Sequence, residues 1–99
     1  MEEHVVVLEG KQVKGYVVPL GPVNLVFGVA EGGMIGCGAF AIGALDTFGY
    51  AAAKIRGVDG KGIATVDDLL EGTVVEVNVG AVERGVQTGM TGRMALGLM

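Results

Sequence analysis

Tryptophan is absent, and Phe and Tyr supply only five aromatic residues among 99, too few for a base-stacking platform. The basic surface from which nucleic-acid binding starts is missing too, because seven Lys and Arg stand against eleven Asp and Glu. Nucleic acid is therefore excluded as a partner. A single Cys rules out an internal disulfide, and one Cys with one His is a poor inventory of metal ligands, so neither a metal nor a cofactor is expected. Charge is scarce, at 18% of residues against a usual ~25%. The longest charge-free stretches, 15–30 and 32–45, are broken by Gly or Pro and fall short of the ~18 apolar residues a membrane span requires, so no membrane is expected. The polar start Met1-Glu2-Glu3-His4 lacks the character of a cleavable signal, which points to a reducing cytoplasm.

What the chain does have is apolar bulk, at 51% of residues, and 19 glycines. Length sets one domain over 1–99. A domain this small leaves ~40% of its unfolded-chain surface exposed, and few charges are present to wet it. A homo-oligomer that buries the excess is expected, with Gly43 and Gly49 letting a helix pack across the axis.

Taken in order, the β-branched run 4–9 and the run 12–18 flank a Gly10-Lys11 turn and predict a hairpin. Pro19 and Pro22 bracket a loop, residues 24–30 form a third strand, and Glu31-Gly32-Gly33 turns into a fourth over 34–37. Beyond Gly38, Phe40, Leu45, Phe48, Ala52 and Ile55 fall near helical spacing, with Asp46, Tyr50 and Lys54 on a polar face. This predicts one long amphipathic helix whose firm part begins between Ala39 and Ala44 and whose stretch Leu45 to Ile55 covers the sheet, with Phe48 in the core. After a loop at 57–62, Thr65 is placed to cap a short helix that carries Asp67 and Asp68 in its first turn and ends at Gly72. The run 73–79 alternates, Thr73, Val75, Val77 and Val79 against Val74, Glu76 and Asn78, and predicts a fifth strand. A helical turn at 81–86 and a last helix capped by Thr91 close the chain. The expected fold class is α+β, a single domain with an antiparallel or mixed sheet of about five strands backed by one long helix and short C-terminal helices.

Three motifs bear on function. Gly36-Cys37-Gly38-Ala39-Phe40-Ala41 has the form G-x-G-x-x-A, but a dinucleotide site needs the next strand parallel with an acid at its end, and neither is expected here. Gly57-Val58-Asp59-Gly60-Lys61-Gly62 lacks the leading Gly and the Ser or Thr of a phosphate loop and predicts a surface turn. Cys37, the sharpest candidate, would need a neighbouring base or positive field to act as a nucleophile. His4, Lys54, Arg56 and Arg93 are the candidates to supply it. Against this stands the ordinary fate of a free Cys as a small buried apolar side chain. Thr91-Gly92-Arg93 could hold an anion at a helix start or serve simply as cap and surface.

The segments Gly33-Met34-Ile35-Gly36-Cys37-Gly38, Thr65-Val66-Asp67-Asp68-Leu69-Leu70 and Gly85 to Leu96 together resemble the YunC-like family, small bacterial and archaeal proteins of unknown function. The resemblance covers nearly the whole chain and implies an α+β fold with a helix-backed sheet and no established activity. Cys37, Gly38, Gly89, Thr91, Gly92 and Arg93 match its recognisable motifs, while the stretch after the Cys-Gly pair departs from it. Two functions are carried forward. One is a homo-oligomeric binding or assembly module without chemistry. The other is a Cys37-dependent enzyme or small-anion site built from Gly36, Cys37 and Gly38 with Thr91, Gly92 and Arg93.

Overall fold

The computed structural model describes residues 1–8 and 10–99; Glu9, expected at the end of the first strand, lies outside them. Six strands form one mixed sheet in sequential order: β1 (Glu2–Leu8), β2 (Lys11–Pro19), β3 (Asn24–Val29), β4 (Gly33–Gly36), β5 (Ala51–Arg56) and β6 (Thr73–Val77). The first four make the antiparallel meander that the alternating runs predict. Then β5 returns parallel to β4, with Gly33 beside Ala51 and Gly36 beside Lys54, and β6 pairs antiparallel with β5. Among the described residues three short α-helices complete the α+β domain: α1 (Val66–Glu71), α2 (Val79–Glu83) and α3 (Gly92–Leu98).

The long helix expected around 45–55 is not formed. A 3-10 segment covers Ile42–Phe48 and stops at Gly49, whose φ of 67° is left-handed and comfortable only for Gly. The Ala-rich run that follows is extended, as β5. Small side chains explain the outcome. Ala51 lies under α2, where a Cβ on Gly80 would come within 2.9 Å of its Cα. Ala52 is fully buried beneath Ile42 on the opposite face. A strand that must accept packing on both faces at close range suits Ala, whatever its helix propensity. Phe48, expected in the core, is 79% exposed, and the long helix on which Gly43 and Gly49 were expected to allow close packing is replaced by the 3-10 segment.

One face of the sheet carries the main core. Val13, Val17, Val26, Ile35, Ala53 and Ile55 meet Val66, Leu69 and Leu70 of α1 and Ala95 and Leu96 of α3. Thr65 Oγ accepts from Asp68 N–H at 3.0 Å while the Asp68 carboxylate accepts from the Thr65 and Ala64 amides, both at 3.1 Å, a complete capping box. The bond from Ala64, with those from Thr65, holds the Asp68 carboxyl below its ordinary value against a smaller opposing effect of burial. Close approach is bought with glycine: a Cβ at Gly15 would stand 2.6 Å from Val66 Cγ1. The other face holds a smaller cluster of Met34, Ile42 and Ala52 with Phe27, Phe40 and Tyr50 around it. Phe27 stacks on Tyr16 at 5.1 Å and meets the edge of Phe40 at 5.6 Å.

Strand β6 departs from its expected alternation. Ile55 pairs Val74 and Lys54 pairs Glu76, leaving Val75 as a bulge. Val74 is therefore the core residue, with Val77 half-buried behind it, and Val75 turns outward at 45% exposure.

Candidate functional site

The carboxyl ends of the two parallel strands open on a cleft of about 280 Å³, lined by Cys37 and Gly38 after β4, by Lys54 and Arg56 at the end of β5, and by Lys61. This is the end of a parallel pair at which open sheets bind ligands. Each side chain arrives for a local reason. The Gly36 pairing with Lys54 sets the two strand ends level, and Cys37, which follows Gly36, ties its N–H to the Val26 carbonyl at 3.1 Å. A Cβ at Gly36 would run into the Phe40 ring, so the corner closes only with Gly. The Val75 bulge turns an apolar side chain into the cleft wall. The 57–62 loop folds back on itself through Gly60 N–H to Gly57 O and Lys61 N–H to Val58 O, both 3.0 Å, with Asp59 left-handed at φ 55°. That fold lays the loop along the Arg56 guanidinium and brings Lys61 to the cleft.

Of the four groups considered as neighbours for Cys37, Lys54 and Arg56 share its cleft, while His4 and Arg93 line two others. Lys54 is paired with Glu76 at 3.4 Å, an ion pair worth at most about 1 kcal/mol at such exposure. Lys61 was not foreseen, because Gly57 to Gly62 reads as a plain turn. Cys37 is a buried free thiol. No carboxylate or imidazole lines the cleft among the described residues.

Thr91, Gly92 and Arg93 stand apart from Cys37. Thr91 Oγ caps α3 by accepting from Met94 N–H at 3.1 Å. Gly92 N–H donates to Gly72 O at 2.9 Å, and a Cβ there would strike the Leu69 carbonyl. Arg93 lines a cleft with Val7, Leu8, Met94 and Gly97. The Gly36–Ala41 motif also reads differently in space. The following strand is parallel after all, but the 3-10 segment starts only at Ile42. Among the described residues no helix N-terminus follows the corner directly, and β5 ends in Arg56 where a dinucleotide site carries an acid.

Sequence reasoning placed Asn78 inside the alternating strand 73–79, yet it follows β6 as the N-cap of α2 and is buried and fully bonded. Its Oδ1 accepts from Ala52 N–H at 2.9 Å and Ala81 N–H at 3.0 Å, and its Nδ2 donates to Tyr50 O at 2.7 Å and Ile42 O at 3.2 Å. Asp46 adds a second cap to α2, accepting from Val79 N–H at 3.0 Å. The 3-10 segment, the start of β5 and α2 are thus tied at one amide. Tyr50, beside it, has its phenol pushed up by burial.

Residues 36–99, from the Gly-Cys-Gly corner to the end, match the model of a family described as Domain of unknown function (DUF1805). The chain belongs to this family. It is 32% identical over 94 residues to the uncharacterized protein YunC of Bacillus subtilis (strain 168), spanning 92% of this chain and 89% of that one. The fold is shared with the crystal structure of a protein of unknown function, TA1206, from Thermoplasma acidophilum, at a TM-score of 0.84 and 24% identity over 96% of this chain and 88% of that one. The resemblance drawn from the Gly-Cys-Gly, Thr65–Leu70 and C-terminal motifs is thereby shown, as is the α+β class. No helix among the described residues is long and apolar enough to cross a membrane.

Proposed function

We propose that this DUF1805 protein is a binding module for a small anionic ligand, a phosphate or carboxylate compound, held between Lys54, Arg56 and Lys61 against the Gly36-Cys37-Gly38 corner. One observation carries the reading: a chain of net charge −4 gathers three of its seven Lys and Arg around one cleft that no carboxylate lines among the described residues, with Lys54 alone of the three shared with a carboxylate, that of Glu76 at 3.4 Å. Such a cleft attracts and orients an anion. Without an imidazole or carboxylate in the wall, it favours binding over acid–base catalysis by Cys37. The candidate anion site moves accordingly from the Thr91–Arg93 helix start to the end of β5. Titration of the protein with inorganic phosphate and with succinate, followed by amide shifts, should perturb Gly38, Arg56 and Gly62. Binding should be lost in Arg56→Ala/Lys61→Ala and kept in Arg93→Ala. Absence of binding at millimolar anion, or loss in Arg93→Ala alone, contradicts the assignment.

A second reading, that the protein works as a homo-oligomer, is supported by a different observation. Val5, Val7, Met94 and Leu98 are all more than 40% exposed, and Val7 and Met94 line one cleft.

A further inference from the structure

The two edges of the sheet are treated differently by the chain. The outer edge of β6 is short, bulged at Val75 and covered by its own C-terminal segment: Val74 N–H donates to Met90 O at 2.8 Å, Gly89 N–H donates to Val74 O at 2.9 Å, and Thr91 bridges Thr73. These are the devices by which proteins keep a sheet edge from pairing with another chain. The outer edge of β1 has none of them. It runs seven residues in unbroken register with β2, without Pro, Lys or bulge, and among the described residues no strand pairs with its other side. Every second residue there presents an N–H and a carbonyl outward, beside exposed Val5 and Val7.

Two clefts flank this edge, and they carry opposite charge. At the Leu8 end, Val7 and Leu8 share a cleft of about 220 Å³ with Arg93, Met94 and Gly97. At the Glu2 end, Glu2 and His4 share one with Thr65 and Asp67 of the α1 start. The geometry points to a second copy of this chain as the occupant of the β1 edge, paired antiparallel about a two-fold axis at Val5, so that two six-stranded sheets join into one. An antiparallel two-fold turns the strand end for end. Glu2 then stands opposite the partner's Leu8 and Glu3 opposite the partner's Val7, so no two carboxylates of the described strand face each other. The acidic cleft of Glu2 and Asp67 meets the partner's Arg93, and the same contact is made twice, as a closed isologous interface requires. On the face away from the helices Val5 comes to lie beside the partner's Val5 and Val7 beside the partner's Glu3, while Met94 of α3 borders the joint on the other face. Arg93 thus serves in the contact between copies, distinct from the Cys37 cleft.

This inference rests on the reading of the protein as a homo-oligomer and names the surface that makes it one. Light scattering on the full chain at tens of micromolar should give twice the chain mass of 10.0 kDa. Val5→Lys, on an exposed side chain that should leave the fold intact by circular dichroism, should give a monomer. Arg93→Glu should weaken the dimer at least tenfold, and adding Asp67→Arg to it should restore association. Val5→Cys, which the axis sets against its own copy, should oxidise to a disulfide-linked dimer on a denaturing gel, whereas Val79→Cys should not. A monomeric wild type overturns both the inference and the homo-oligomer reading. An oligomer indifferent to Val5→Lys and uncrosslinked through Val5→Cys overturns the β1 assignment alone.

Discussion

Replacing Asn78 by Asp keeps the side chain's size and removes both N–H donors, so one carboxylate oxygen must face the Tyr50 and Ile42 carbonyls that Nδ2 now satisfies. Leaving such buried groups unpaired costs about 1–3 kcal/mol each, and Asn78→Asp should lose about 3 kcal/mol or more in denaturant unfolding at neutral pH. Protonation restores one donor, so the variant should regain stability as pH falls, and equal loss at every pH would contradict the account. The side chain was misread for a physical reason. Its bond from the Ala81 amide is as local as any cap, but the alternation of 73–79 absorbs Asn78 into the strand, and its other partners Ala52, Tyr50 and Ile42 are 26, 28 and 36 residues away, where periodicity does not reach. Thr65 and Thr91 were legible as caps because each bonds an amide three residues on. Cys37 was legible as a corner residue, but its company was not: Lys61 reaches the cleft only through the fold of the loop.

Among the elements, α1 is the one whose local signals and tertiary role agree, and its pH response follows from them. Asp68 is held below its ordinary carboxyl value, first by the Ala64 amide. A carboxylate depressed in the folded state stabilises it fully above the unfolded value of 3.8 and loses that contribution as pH falls through the lower folded value. Asp68→Asn should therefore leave a shallower decline in melting temperature below about pH 4, and an unchanged acid limb would remove the capping box from the explanation. β5 is the opposite case. Ala51 to Arg56 has helix-forming composition and a helical pattern, and nothing within the run marks a strand. Gly49 ends the 3-10 segment with a left-handed backbone, and β4 and β6 then supply ladders on both sides. The parallel return that positions Lys54 and Arg56 beside Cys37 was hidden for the same reason, so the sequence joined Cys37 to the Thr91–Arg93 helix start instead. The Val75 bulge was equally hidden, since a clean two-residue alternation gives no sign that one residue will be left without a partner.

For the molecule as a whole, the meander up to β4, the last strand β6 and the C-terminal caps followed from pattern, while β5 and its parallel pairing with β4 followed from contacts that span the chain. What the whole molecule leaves uneven is its surface: one sheet edge covered, the other bare, with the basic and acidic clefts at opposite ends of the bare one. If a second copy covers that edge, folding and association are linked, and melting temperature must depend on concentration. Unfolding gains ~2.1 cal/mol/K per residue, or about 0.4 kcal/mol/K for two chains of 99 residues. A tenfold increase in concentration shifts the free energy of a dimer by about 1.4 kcal/mol, so the midpoint should rise by about 3 °C per decade of protein. Calorimetric scans across two decades would show a rise of roughly twice that, and Val5→Lys should abolish it while keeping a cooperative transition. A flat dependence in the wild type would mean that the chain folds and melts alone, with the β1 edge open to water.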